Sequence, residues 1–537
     1  MGLISLPVNN PLGHDQNTDV AERLREAFFR LISKLVTCPM PVGNRPDSTE
    51  YPGAFQQLAQ TIRTFVGAFL AFSSLFTLSF SKRRNGIKLS LMERELKQIV
   101  RQKITDALAA SVPAHTRRDV HLPGIKGKAM AVIGMRRSGK TTFLWQCLGE
   151  RLEAGTPRDA LLYFNFEDER LAEMTAQELQ LVVEEYFSLH PERRDFKSVT
   201  FFLDEIQEVP GWETFVRRLL DTEKVELFLS GSSARLLSRE VATSMRGRAM
   251  EVLVHPFSLR EALRHRGAEP KSPWTDLPKA ARSALDKHFR AYLTEGGFPE
   301  SQGVPMRDRA SLLRTYVDVA ILRDVIERHG VTNPAALRWL QRHLLGNPAA
   351  PFSVQKFFDT IKSQGLPVGK NTLHDYLAYL EDAFLVRTVS LHTASERQRM
   401  VNPRKAYPID PGLISLYERT GRANLGHALE TVVLLELERR GCEIDYVRTR
   451  DGYEVDFFAR NPAGGVTLIQ VCTDVSDAET YAREVRALTA AATEYPGAIP
   501  LLLTFDTLPP RPPLPAPLRW QPAIAWLLGD ELPRKSR

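Results

Sequence analysis

A chain of 537 residues with 43% hydrophobic and 25% charged residues is too long for one ordinary core and too apolar for a disordered polymer, so roughly three or four globular domains are expected. The formal net charge of +7 and a pI near 9.1 suit an anionic partner, but a charge this size over this length does not single out nucleic acid. Four cysteines, Cys38, Cys147, Cys442 and Cys472, stand far apart without C-x-x-C spacing, which argues against a zinc site and for reduced thiols in a cytoplasmic protein.

Residues 1–91 are rich in turn-formers, from Asn9-Asn-Pro11 to Pro39, Pro41, Gly43 and Pro46, around one apolar run, Phe65 to Phe80. That run is shorter than a bilayer span and is interrupted by serines, and no cleavable leader pattern precedes it. The expectation is a poorly ordered or non-native extension, with Met92, where an amphipathic helix pattern begins, as the initiator.

From 92 to 270 apolar runs alternate with helical patterns, the arrangement of an α/β domain with a parallel sheet. Five strands are predicted, at Ala129–Ile133, Ala160–Phe166, Val199–Leu203, Val225–Leu229 and Ala249–Val254. The first runs into Gly134-Met135-Arg136-Arg137-Ser138-Gly139-Lys140-Thr141-Thr142, which fits G-x-x-x-x-G-K-[ST] at every fixed position. Glycines at 134 and 139 let the backbone fold around phosphate oxygens, and the N–H groups entering the next helix point at the anion. Lys140 is expected to reach the β- and γ-phosphates of ATP, and the Thr141 hydroxyl to ligate Mg2+. The third strand ends in Asp204-Glu205, the Walker B-like pair expected to order the metal (Asp204) and to act as general base on the attacking water (Glu205). The fourth ends in Ser230-Gly-Ser-Ser233, which places Ser232 or Ser233 as a sensor of the γ-phosphate. Trp212 and Phe215 are expected in the core.

The segments FFLDEIQEVPGWE, LFLSGSSARLLSRE and MRGRAMEVLVHPFSLREAL resemble the ATPase core of a prokaryotic AAA+ group whose members also carry a C-terminal domain of unassigned function. The resemblance runs from about Met92 to about Val471. It implies an ATPase using ATP and Mg2+, a homo-oligomer as one form of assembly, and an arginine supplied by a neighbouring subunit, for which Arg246 and Arg248 are the candidates. The alternative for these arginines is a cap on a strand entrance.

Residues 271–345 read as helical, with Tyr292-Leu-Thr-Glu-Gly-Gly-Phe-Pro299 as a turn-rich junction, and Leu312 to His329 again resembles the same group. Arg323 and Asp324 read as a local ion pair. Residues 346–394 read as a winged helix: Ser353 caps a helix over Val354 to Ile361, Leu373, Tyr376, Leu377 and Leu380 line one face of a second, and Phe384 to Leu391 begins the wing. The second helix turns outward Lys370, Asn371, His374, Asp375, Glu381 and Asp382, a face that is not basic, so a protein-packing module is favoured over a DNA reader.

Residues 395–508 place Glu430 on a helix, Asp456 on a strand and Gln470 on the next, an array similar to that of metal-dependent nucleases of the restriction-endonuclease, Holliday-junction-resolvase type. Where such enzymes carry a water-polarising lysine this chain has Cys472, so unless Arg483 or another cation from the following helix substitutes, a degenerate, binding-only site is expected. Residues 509–537 are Pro-rich and expected to be an extended linker despite the apolar patch Ile524 to Leu528.

The fold class expected is therefore α/β: a P-loop NTPase core on a parallel five-stranded sheet, then a helical and winged-helix segment and a C-terminal α/β restriction-endonuclease-like domain. The function expected is an ATPase that couples nucleotide state to DNA or a partner protein. The alternatives are a nucleotide-dependent switch with little turnover and an ATPase-coupled nuclease.

Overall fold

In the computed structural model the described residues are 94–194, 199–231, 245, 247–418 and 424–529. The expectations for the 1–91 extension, for Ser232 and Ser233 and for Arg246 lie outside them.

The five predicted strands form one parallel sheet: β1 (Ala129–Ile133), β2 (Leu161–Asn165), β3 (Val199–Asp204), β4 (Val225–Gly231) and β5 (Ala249–Leu253), in the order β2-β3-β4-β1-β5. β3 is buried at every position, as a strand covered on both faces requires. One face packs on α1 (Lys140–Glu153) through Phe143, Leu144 and Leu148; the other packs on α2 (Leu179–Leu189) and α3 (Trp212–Thr222), where Trp212 and Phe215 are buried. Because every strand runs the same way, the residues that end β1, β3 and β4 meet at one edge. This is a P-loop NTPase core, as the sequence predicts.

After β5 comes α4 (Leu259–His265), which starts at a capping box in which Ser258 and Glu261 satisfy each other's backbone N–H groups. α5 (Lys279–Glu295) and α6 (Met306–Val319) follow. They do not make a separate helical domain. α5 packs toward the C-terminal part, with Phe289 stacked on Phe505 at 5.3 Å, whereas Leu313, Tyr316 and Val317 of α6 join the core of the first sheet. α6 runs directly into an eight-residue π-helix, Ala320–Glu327.

Then come α7 (Pro334–Gly346), β6 (Pro351–Phe352), α8 (Val354–Ser363), capped by Ser353, α9 (Lys370–Asp382), β7 (Val386–Leu391), α10 (Glu396–Val401) and β8 (Arg404–Pro408). The boundary expected at 394/395 is not one. β8 pairs antiparallel with both β6 and β7, so the small sheet beside α8 and α9 is completed from beyond it. β7 also pairs with β9 (Glu443–Arg448), which follows α11 (Leu425–Arg439). With β10 (Glu454–Arg460), β11 (Val466–Cys472), β12 (Ile499–Thr504) and β13 (Arg519–Pro522) the result is a single eight-stranded mixed sheet, β13-β12-β11-β10-β9-β7-β8-β6. α12 (Ala478–Glu494) connects β11 to β12.

The stretch beyond Leu508 departs from the extended linker expected of it. After its prolines the chain adds β13 parallel to β12 and ends its described part in α13 (Ala523–Leu527), whose residues are all buried. The apolar patch outweighs the prolines: Trp526 lies under the Arg440 guanidinium, 4.0 Å from the ring centre, and its carbonyl accepts from Arg440 Nη2 at 2.7 Å. No helix among the described residues is long and apolar enough to cross a membrane.

Candidate functional site

The loop between β1 and α1 is shaped by two glycines. Gly134 (φ 147°) has no room for a Cβ, which would collide with the Val254 carbonyl, and Gly139 (φ 100°) enters α1 against Arg118. Met135 is buried, and Ser138 is buried with its Oγ unpartnered among the described residues. Lys140 is 5% exposed, and among the described residues its Nζ donates only to the loop's own carbonyls, Gly134 O at 3.2 Å and Met135 O at 3.3 Å. Burial pushes the Lys140 ammonium down, opposed by Glu205 and Asp204.

Facing the loop, Asp204 closes β3, fully buried. Its carboxylate accepts the Tyr163 hydroxyl at 2.7 Å and the Ser230 hydroxyl on its other oxygen, and Thr141 approaches it as well. Burial pushes this carboxyl up; the hydroxyls hold it down. Ser230 also accepts the Glu205 N–H at 3.2 Å. The sensor positions expected at Ser232 or Ser233 lie outside the described residues. β4 lies between β1 and β3 as that reading required, and the residue bonded to the acidic pair is Ser230. Ser230→Ala leaves Asp204 and the Glu205 amide each short of a partner, and is expected to cost about 1–3 kcal/mol in chemical denaturation.

Glu205 is 8% exposed, in the left-handed backbone region (φ 53°), with its carboxylate accepting from the Gln207 amide. Arg137 in the loop is left-handed too (φ 67°), paired on the surface with Glu300 at 3.0 Å. Two non-glycine residues in this sparse region, facing one cavity, mark strain held by the surroundings. The cavity, about 610 Å³, is lined on one side by Lys140, Thr141, Thr142 and Glu205 and on the other by Glu300 and Tyr316.

Two further residues were missed. Arg118, buried behind the loop, donates from Nη1 to Ser138 O at 2.9 Å and pairs through Nε with Glu261 at 3.0 Å; nothing periodic in its segment signals it. Asp324 is not the local partner of Arg323, which pairs instead with Glu327 at 3.1 Å; it receives Arg136 Nε of the loop at 3.0 Å. Arg248 stands at the entrance of β5, paired with Asp221, at the end of the sheet opposite the loop.

The C-terminal array is arranged differently from the nuclease pattern. Glu430 and Asp456 do meet, but around Lys405 of β8, whose Nζ lies 3.1 Å from Glu430, 2.9 Å from Glu454 and 3.0 Å from Asp456. Tyr407 adds a hydroxyl to Glu430 at 2.7 Å. Gln470 turns away, donating to Glu484 at 2.6 Å, and Arg483 pairs with Glu484 as well. Burial works against the Lys405 charge, but Asp456, Tyr407, Glu430 and Glu454 together hold its pKa well above the ordinary value. Burial beside Asp456 raises Glu430 to about 7. These residues do not fit a divalent cation, because an ammonium already sits where the carboxylate oxygens converge.

Comparison with known proteins agrees with the geometry of the first site. Residues 126–263 match the model of an AAA domain, and residues 286–422 that of a domain of unknown function (DUF8612). The chain is 33% identical over 377 residues to the uncharacterized protein MJ1544 of Methanocaldococcus jannaschii, covering 69% of this chain and 80% of that one. It is 30% identical over 350 residues to an uncharacterized protein of Haemophilus influenzae, covering 64% and 82%. Among solved structures, a Walker-type ATPase of Pyrococcus abyssi shares 16% identity at a TM-score of 0.36, over 60% of this chain and 95% of that one.

Proposed function

Since the chain belongs to the family of AAA-domain proteins that includes MJ1544, we propose that it binds ATP with Mg2+ and hydrolyses it, coupling nucleotide state to DNA or a partner protein through its C-terminal part. The observation that carries the reading is the meeting of Lys140, Thr141, Asp204 and Glu205 at one sheet edge, around a cavity of nucleotide size. The loop N–H groups and Lys140 take the β- and γ-phosphates; Thr141 and Asp204 hold the metal, with Ser230 fixing the Asp204 carboxylate. Magnesium, when bound, neutralises charge on the phosphate oxygens. Glu205 accepts a proton from the attacking water, and Ser230, bonded to both acids, joins Ser232 and Ser233 as a candidate sensor of the γ-phosphate.

The hydrogen bond from Gln207 to Glu205 supports a second reading, a switch with slow turnover, because a base held by an amide must be released before it acts. The segment 346–408 is read as a winged helix used for protein contact, on the mixed charge of its outer helix face. The test is release of phosphate from ATP, measured with and without duplex DNA. Lys140→Ala is expected to abolish nucleotide binding in titration calorimetry; unchanged binding would sink the loop's assignment.

A further inference from the structure

Arg136 is the third residue of the glycine loop, two after Gly134, and lines the same cavity as Lys140 and Glu205. Its side chain is 25% exposed, and its only hydrogen bonds among the described residues run from Nε to the two oxygens of Asp324, at 3.2 and 3.0 Å. Nε alone is used. The two terminal nitrogens, the fork that suits a phosphate, have no protein acceptor among the described residues.

Asp324 is built to hold that arginine. Its side chain is 3% exposed, inside the π-helix, and a π-helical turn is a costly device found chiefly where a side chain must be re-aimed for function. Its neighbour Arg323 and Glu327 face solvent at 63% and 47% exposure, so this stretch turns Asp324 alone of these charges inward. Asp324 acts electrostatically on Lys140 as well, and Glu205 acts on Arg136, so the four charges share one space. The other cations on the cavity wall, Arg137 and Arg323, are paired on the surface with exposed acids and lack a buried carboxylate to fix them.

Resting on the ATPase reading above, we infer that Arg136 is this chain's own γ-phosphate-reading arginine, oriented by Asp324 so that its terminal nitrogens meet the charge on the transferring phosphoryl group in cis. Arg136 touches the nucleotide; Asp324 is a positioning residue. The distinction between ATP and ADP then resides in the loop itself, and a neighbouring subunit is not needed to supply the charge.

The test uses the full chain, Arg136→Ala, Arg136→Lys and Asp324→Asn, each checked for folding by circular dichroism. Binding of ADP and of a non-hydrolysable ATP analogue is measured by calorimetry, and single-turnover hydrolysis of ATP by phosphate release. Arg136→Ala is expected to slow hydrolysis by on the order of 1,000-fold, at the lower side of what a phosphate-stabilising arginine supplies. It should also lose roughly tenfold in affinity for the analogue while ADP binding stays within about threefold, the difference a single charge-assisted contact makes. Arg136→Lys, which keeps the charge without the fork, should recover only part of this, and Asp324→Asn should fall between. An unchanged preference for the analogue over ADP in Arg136→Ala would overturn the inference. Mixing Arg136→Ala with Lys140→Ala separates cis from trans: no recovery is expected, and restored turnover would show that the arginine acts across subunits. Absence of turnover in the unaltered protein would refute the ATPase reading instead, and the binding comparison would still decide the role of Arg136.

Discussion

Glu205→Gln is expected to bind ATP as tightly as the unaltered protein and to lose turnover by on the order of 100-fold or more, the loss that follows when a general base is removed. The amide keeps the size of the side chain and accepts the same Gln207 hydrogen bond, so the left-handed turn at 205 and the Ser230 contact to its backbone N–H are retained. What goes is the ability to take a proton. Calorimetric ATP binding beside phosphate release at saturating ATP checks both halves. Hydrolysis at the normal rate would show that the base lies elsewhere, and Glu167, on the same cavity wall, would be the next candidate.

The second large effect concerns stability. Lys405→Met should cost about 3–5 kcal/mol, because removing one partner of a buried ionic cluster strands the others. Here the stranded groups are Glu430, Glu454 and Asp456. The pH dependence has a definite sign. Glu430 stands at about 7 in the folded chain even beside the ammonium, above its ordinary 4.5, so in the variant this buried carboxyl folds best protonated. Its contribution is fully present below about 4.5 and is lost as pH rises through the folded value. Denaturant unfolding at pH 5 and pH 8 should therefore show the larger loss at pH 8. Equal losses at both would place the cause in packing rather than charge.

The parts of this molecule that are legible in the sequence are those whose signal is local. A glycine loop after an apolar run, an acidic pair closing another and the five strands around them are each contained within a dozen residues, and the strands lie where the periodicity puts them. Periodicity does not say where a strand stops: β4 runs on to Gly231, two residues past the predicted end, and brings Ser230 to the acidic pair. The charges that complete each site are the least legible, because they arrive from far away. Arg136 and Asp324 are 188 residues apart, and Lys405 stands 51 residues from Asp456, on a strand assigned to no site. The vacancy at Cys472 was visible; that a cation reaches the same carboxylates from β8 was not, since only the pairing of β8 with β7, and of β7 with β9, carries it there. The tail was misjudged by weighing six prolines above five apolar residues that end up buried.

The eight-stranded sheet has a mechanical consequence. A backbone ladder that passes from β10 through β9 and β7 into β8 leaves no seam at which the small helical module could swing against the C-terminal fold, since any relative rotation would have to shear the two residue pairs that join Ser390 and Leu391 to Asp445 and Tyr446. The two therefore travel as a single paddle. Its handle is the helical run from α6 through the π-helix to His329, which meets the loop through Asp324 at Arg136 and, through His329 stacked 3.7 Å from Tyr379 of α9, the paddle.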